Sequence, residues 1–335
     1  MSAPASAFAL RPRTRAAATL FAAAALTLAA QAASAENWPQ RPVSLIVPFP
    51  AGGGTDIVAR LVAQKLSEAL KGNFVVENKP GASAQIGTKY VVDGAPDGHM
   101  LLIGTTSLVN GPALFGNKLP YDHNKQLRPV ISLADLAIFL SVSTQKFSAK
   151  TVKEFIEQAK KMPNLNMGSA GAGTTLHMSG EWFKLATGLQ ALHVPFKGSA
   201  PEVAALAGGE VDWAMENLGA VLPMVQVNRV RLLAVASPSR HPQAPDVPTF
   251  KEAGLPDVNL STWVFLMAPA ATPDPIVALL NRTIREILRT PDMQEKLLQQ
   301  GFVQSGGTVE QLAARMKAET ELWGKVIRDA NIKID

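Results

Sequence analysis

Val43-Ser44-Leu45-Ile46-Val47-Pro48-Phe49-Pro50-Ala51-Gly52-Gly53-Gly54-Thr55-Asp56 decides how this chain folds. Its apolar, β-branched opening reads as a buried strand. A proline-bounded glycine turn ends that strand. Asp56 then opens a helical pattern with Ile57, Val58, Leu61, Val62, Leu66 and Leu70 on one face. Strand, glycine turn and helix start gather free backbone N–H groups around one point, where the helix dipole favours negative charge. The stretch fits an anion site, and it also fits a tight turn that simply needs glycine. No Gly-Lys-Ser/Thr follows the glycines, so this is no P-loop, and their spacing is not the dinucleotide fingerprint.

The middle of the chain repeats this logic. Asn166-Met167-Gly168-Ser169-Ala170-Gly171-Ala172-Gly173-Thr174-Thr175 leads from a strand into a helix carrying Leu176, His177, Met178, Trp182 and Phe183. Open α/β sheets bind ligands at the C-terminal ends of their strands, where both loops fall. Two such loops suggest an anion clamped between two bodies. A third polar turn, Thr105-Thr106-Ser107, follows the Met100–Gly104 strand and belongs beside the first.

Short apolar strands alternate with amphipathic helices almost throughout, the pattern of an α/β protein with parallel sheets. Thr151 with Glu154, and Thr308 with Gln311, make capping boxes, and Thr272-Pro273 and Thr290-Pro291 mark helix starts. Leu133–Ser143 and Leu260–Ala268 read as crossing strands, each long, apolar and without its own glycine turn. If both cross, residues 36–138 with 263–335 form one lobe and 139–262 the other, joined by a two-strand hinge that lets them close on a ligand.

Arg11, Arg13 and Arg15 precede an apolar run from Ala16 to Ala30, and Ala33-Ser34-Ala35 supplies a cleavage signal, so residues 1–35 read as a secretory signal peptide. Cleavage leaves 300 residues and removes three of the 32 basic side chains, so the net charge falls from +5 to +2. That balance, without a basic run, argues against nucleic acid. With zero cysteines there is no disulfide, thiol nucleophile or thiolate metal site. The histidines, His99, His123, His177, His193 and His241, are scattered, and neither metal nor cofactor is expected.

Several segments stand together in register: Pro48-Phe49-Pro50-Ala51-Gly52-Gly53-Gly54-Thr55-Asp56, Val76-Glu77-Asn78-Lys79-Pro80-Gly81-Ala82, Ala95-Pro96-Asp97-Gly98, His193-Val194-Pro195-Phe196-Lys197-Gly198 and Gly208-Gly209-Glu210-Val211-Asp212. With Pro245-Asp246-Val247-Pro248-Thr249 and Glu252-Ala253-Gly254-Leu255-Pro256, they resemble the Bug family across essentially the whole exported chain. These are the periplasmic solute-binding proteins of tripartite tricarboxylate transporters. The resemblance implies a two-lobed, type II-like periplasmic binding protein, α/β in class, each lobe a mostly parallel sheet flanked by helices. It implies a monomer that closes on a small organic carboxylate and delivers it to large and small integral-membrane subunits. A ligand sensor that engages a membrane signalling partner would use the same cleft.

In that family backbone N–H groups, ordered waters and hydroxyls hold one carboxylate. The roles carry over to Phe49, Ala51, Gly52, Gly53, Thr55 and Asp56, and to Ser169, Gly171, Thr174 and Thr175, with Thr105 and Ser107 alongside. Asp56 would repel an anion, so it caps the helix, orients waters or meets a ligand amine. Met215-Glu216-Asn217 stands where an aromatic or apolar residue followed by Asp-Asn is more usual in that family, and Phe196 replaces a common tyrosine. Phe196 and Asn217 fall near the ligand's far end. Phe49, Phe196 and Trp263 would make the cleft apolar, favouring an aromatic or longer-chain acid.

Enzyme readings lose. Ser143-Thr144-Gln145-Lys146 matches Ser-x-x-Lys but ends a strand, no Ser-Asp-Asn supports it, and there is no Gly-x-Ser-x-Gly elbow.

Overall fold

The computed structural model describes residues 38–256, 260–329 and 332. Residues 1–35, which the sequence suggests are a signal peptide, lie outside these described residues. The elements run β1 (Val43–Val47), α1 (Gly54–Leu70), β2 (Phe74–Asn78), α2 (Gln85–Val92), β3 (Met100–Thr105), α3 (Thr106–Phe115), α4 (His123–Gln126) and β4 (Leu127–Ser143). Next come α5 (Val152–Ala159), β5 (Asn166–Ser169), α6 (Thr175–Thr187), β6 (Leu192–Pro195), α7 (Ser199–Gly208), β7 (Trp213–Asn217), α8 (Leu218–Gln226) and β8 (Val230–Val235). The chain finishes with β9 (Ser261–Pro269), α9 (Asp274–Arg289), α10 (Pro291–Gln299), β10 (Phe302–Gly306) and α11 (Val309–Asp329).

Strand β4 organises the molecule. Its 17 residues extend about 55 Å at the usual strand rise, enough to serve two sheets. Its first part pairs antiparallel with β9 and β10. Its last part, from Ile138 on, pairs antiparallel with β7 and β8. Outside β9 the first sheet continues β3, β1, β2 in parallel. Outside β7 the second continues β5, β6, again in parallel. Both sheets are therefore parallel at their outer strands and antiparallel around the shared strand.

The return crossing is narrower than the sequence suggests. Leu260 still donates to Ala236 of the second sheet, while Ser261 already pairs with Ala137 and the rest of β9 lies in the first sheet. β4 also starts six residues before the expected Leu133, because Arg128-Pro129 looks like a strand breaker. Pro129 is accommodated where the register slips between Pro129 and Ile131, the kind of irregularity that tolerates a missing N–H.

Each sheet is covered on both faces. In the first lobe, α1 and α9 bury Val58, Val62, Leu66, Leu280 and Ile284 against Leu45, Leu101 and Leu266. In the second, Phe155, Phe183, Trp213 and Phe250 form an aromatic centre, with Phe155 and Phe147 edge to face at 4.9 Å. Helix α11 joins the two lobes. Its Leu312 and Met316 pack in the first lobe's second core, whereas Trp323 and Ile327 pack in the second lobe. Between them Arg315 lies over the Trp263 ring at 4.2 Å and pairs with Asp135 of β4. Trp263 is thus fully buried core, not a wall of the cleft.

Candidate functional site: a cleft of helix N-termini

Five helices point their N-termini into one cleft between the lobes. Its cavity, about 150 Å³, is lined by Gly53, Gly54 and Thr55 at the start of α1, and by Thr105 and Ser107 at α3. Across it stand Thr174 and Thr175 of α6, Gly198 and Ser199 of α7, and Asn217 at α8. The first N–H groups of a helix have no intrahelical partner, and the dipole makes that end positive. Leu136 of β4 and Thr262 of β9, register partners at the crossing, complete the lining. A wider section of about 490 Å³ adjoins it, walled by Pro48, Phe49, Pro50, Pro80, Ala82 and Phe196. Among the described residues, Lys197 is the one charged side chain lining either section.

The first glycine loop is fixed from behind. Asp56 is buried and lines neither section. Its Oδ2 accepts from the Gly52 N–H at 3.0 Å, Arg60 forks onto both carboxylate oxygens, and Asn78 Nδ2 donates to Oδ1. Asn78 also donates to the Phe49 carbonyl at 3.0 Å. Burial alone would push the Asp56 carboxyl up. The Arg60 fork, the Gly52 N–H and the Asn78 amide outweigh it and hold the carboxyl below its ordinary range. Asp56 therefore shapes the loop, and the Gly52 N–H, spent on Asp56, is not aimed at the cleft. Gly52 sits at φ +85° with nothing near its missing Cβ, so backbone conformation is what requires glycine there.

The second loop is fixed by a histidine pair. The Gly173 N–H donates to His177 Nδ1 at 3.1 Å, and Thr174 Oγ1 caps α6 by accepting the His177 N–H. His193 stacks on His177, ring centroids 3.8 Å apart, and shares a 2.6 Å hydrogen bond with Ser169 Oγ. Burial and the neighbouring His177 push His193 down to about 4. Scattered in sequence, these rings form one bracket under the loop.

Nine of the fourteen residues expected at the site line the cavity: Phe49, Ala51, Gly53, Thr55, Thr105, Ser107, Thr174, Thr175 and Asn217. Gly171 and Phe196 line the wider section. Gly52, Asp56 and Ser169 line neither and act through loop shape. Sequence reasoning missed Ser199 and Thr262 in the lining and Arg60 in the bracing. Ser199 was findable, since Lys197-Gly198-Ser199 is a third glycine turn into a helix. The Thr175 and Thr262 hydroxyls and Asn217 Oδ1 are buried without a hydrogen-bond partner in the protein, unusual for buried polar atoms. The lobes touch above the cleft, where Ser83 Oγ donates to the Ala172 carbonyl.

Two α/β lobes that share strands and face each other across a cleft of helix N-termini define a solute-binding receptor of the periplasmic-binding-protein fold. The chain belongs to the tripartite tricarboxylate transporter receptor family, whose description matches residues 58–332. It is 36% identical to a protein encoded in the tcbD-tcbE intergenic region of Pseudomonas sp. strain P51, over 91% of each chain. It is also 36% identical to protein BugT of Bordetella pertussis, over 90% of this chain and 93% of that one. Among solved structures, R. palustris Rpa4515 with adipate superposes at TM-score 0.85 and 36% identity, covering 88% of this chain and 99% of that one. MatC from Rhodopseudomonas palustris with bound malate superposes at 0.80 and 31%, covering 87% and 100%. The protein is a receptor, not an enzyme.

Proposed function

We propose that this protein binds a small organic carboxylate in the cleft and delivers it, in the periplasm, to the large and small membrane subunits of a tripartite transporter. One carboxylate sits between the Ala51–Asp56 and Ser169–Thr175 loops, held by backbone N–H groups and the Thr175 hydroxyl. The lobes close over it about the crossings at Ala137–Ile138 and Leu260–Ser261. The observation that carries this reading is the convergence of five helix N-termini on a cavity lined by no acidic side chain. Backbone donors hold an anion there without a buried arginine to desolvate when the site is empty. The relatives with adipate and malate support the class. The apolar walls of the wider section favour a longer-chain or aromatic acid.

Thermal unfolding of refolded, ligand-free protein against mono-, di- and tricarboxylates, aromatic acids included, tests it. An acid at about a hundred times its dissociation constant adds roughly 2.7 kcal/mol, raising Tm by several degrees. Stabilisation by uncharged solutes alone would overturn the reading.

A further inference from the structure

A buried carboxyl pair lies behind the second lobe's wall of the cleft. Glu202 of α7 and Glu216 of β7 are both 0% exposed. Glu216 Oε1 accepts the Asn217 N–H at 2.6 Å, and its carboxyl reaches the Ser199 hydroxyl and the Glu202 carboxyl. Ser199 and Asn217 both line the cavity. Both Glu202 oxygens and Glu216 Oε2 receive no donor from the rest of the protein. Two carboxylates only accept, so their mutual contact becomes a hydrogen bond when one carries a proton.

Among the described residues no cation neutralises them. Helices α7 and α8 and strands β5 and β7 contain no other titratable side chain. On β4 the register partner of Glu216 is Phe139. Lys197, just before α7, is exposed at the cleft. Arg231 of β8 donates to the Ser148 and Ala149 carbonyls, and Asp212 is held by the Asn166 N–H. Burial and mutual repulsion push the Glu202 carboxyl well up, and burial also raises Glu216. Two buried carboxylates without a cation cannot both stay ionised.

The charge the pair retains is stabilised by the N-termini of α7 and α8, the same ends that face the cleft. A ligand anion draws on the same positive potential and adds a second negative charge. We propose that Glu202 and Glu216 form a proton site coupled to the cleft, so that an arriving carboxylate ligand is accompanied by uptake of a solvent proton at the pair. This inference rests on the carboxylate reading above. The proton forms an O–H bond on the oxygen left ionised, and no other group changes charge.

Two measurements on the full exported chain test it. In the ligand-free protein, stability to urea should fall as pH rises above the ordinary carboxyl range, the direction set by a carboxyl with a raised folded-state pKa. The variant Glu202→Gln/Glu216→Gln should lose that slope. If it does not fold, Glu202→Gln alone, whose amide can donate to Glu216, should flatten it in part. Superimposable flat profiles would overturn the proton site. Calorimetric titration with malate and adipate, above the acids' own ionisation range and in buffers of different ionisation enthalpy, then reads the coupling. Wild type should take up protons and bind more tightly as pH falls, approaching tenfold per unit for one coupled proton. The double variant should take up none. Binding without proton uptake overturns the inference alone, whereas silence of both acids in every variant overturns the carboxylate reading and the coupling with it.

Discussion

Gly53 and Gly54 are adjacent and chemically identical, yet they do different work. Gly53 has φ −81°, an ordinary conformation, and the nearest atom to an added Cβ is 3.8 Å away. Gly54 has no such room, since its Cβ would lie 2.7 Å from Leu136 Cδ2 and 3.3 Å from the Phe302 ring. Gly53→Val should therefore fold, with a Tm close to wild type, while its branches fill the cavity. Carboxylate affinity should drop by about a hundredfold or more, roughly 2.7 kcal/mol. Gly54→Val should fail chiefly in stability, by about 1–3 kcal/mol from overpacking. Thermal scans and titrations of both variants read the contrast, and wild-type affinity in Gly53→Val would refute the site. Which glycine has open room towards the cavity was not legible in a run of three, because it depends on where Leu136 and Phe302 lie. The site's donor-rich character was legible, because strand, glycine turn and helix start are local features. Asp56 was legible only as a set of alternatives: Arg60 lies one helical turn away, but Asn78, which ties Asp56 to the Phe49 carbonyl, arrives from β2.

Elements that frame the second loop carry their own pH dependence. His193 on β6 is held down at about 4, from 6.5, by burial and by His177 of α6. The unfolded chain therefore binds this proton more readily than the folded one. The stability is fully present above about 6.5 and is lost as pH falls towards 4, at most about 3 kcal/mol. The urea midpoint of wild type should fall over that window more steeply than that of His193→Gln. Parallel profiles would show that the stacked pair does not brace the loop. This bracket had no sequence signal, because parallel pairing of β5 with β6 is what brings the two rings together. The first part of β4 was hidden by Pro129, and β10 by its short Phe302–Gly306 run with only two apolar residues. Elements whose signals are purely local, such as the Thr151–Glu154 cap, were readable.

At the scale of the whole molecule, β4, the entry to β9 and α11 join the lobes among the described residues. The first two form a hinge beside the cleft, with Leu136 and Thr262 in the cavity lining. Helix α11 spans the back, with Leu312 and Trp323 in different cores. Opposite the hinge, the Ser83–Ala172 contact joins the mouth. A ligand need only favour the closed arrangement to be retained. If backbone dipoles of both lobes recognise negative charge, adipate must outbind its uncharged diamide, a comparison that titration calorimetry makes directly. The two share a chain and nearly a shape, and differ in charge. The acid should bind at least about a hundredfold more tightly than the diamide, because each amide end carries no charge for the helix dipoles and replaces one acceptor oxygen with an NH2 donor. Equal binding of both would contradict it and assign recognition to the apolar walls instead.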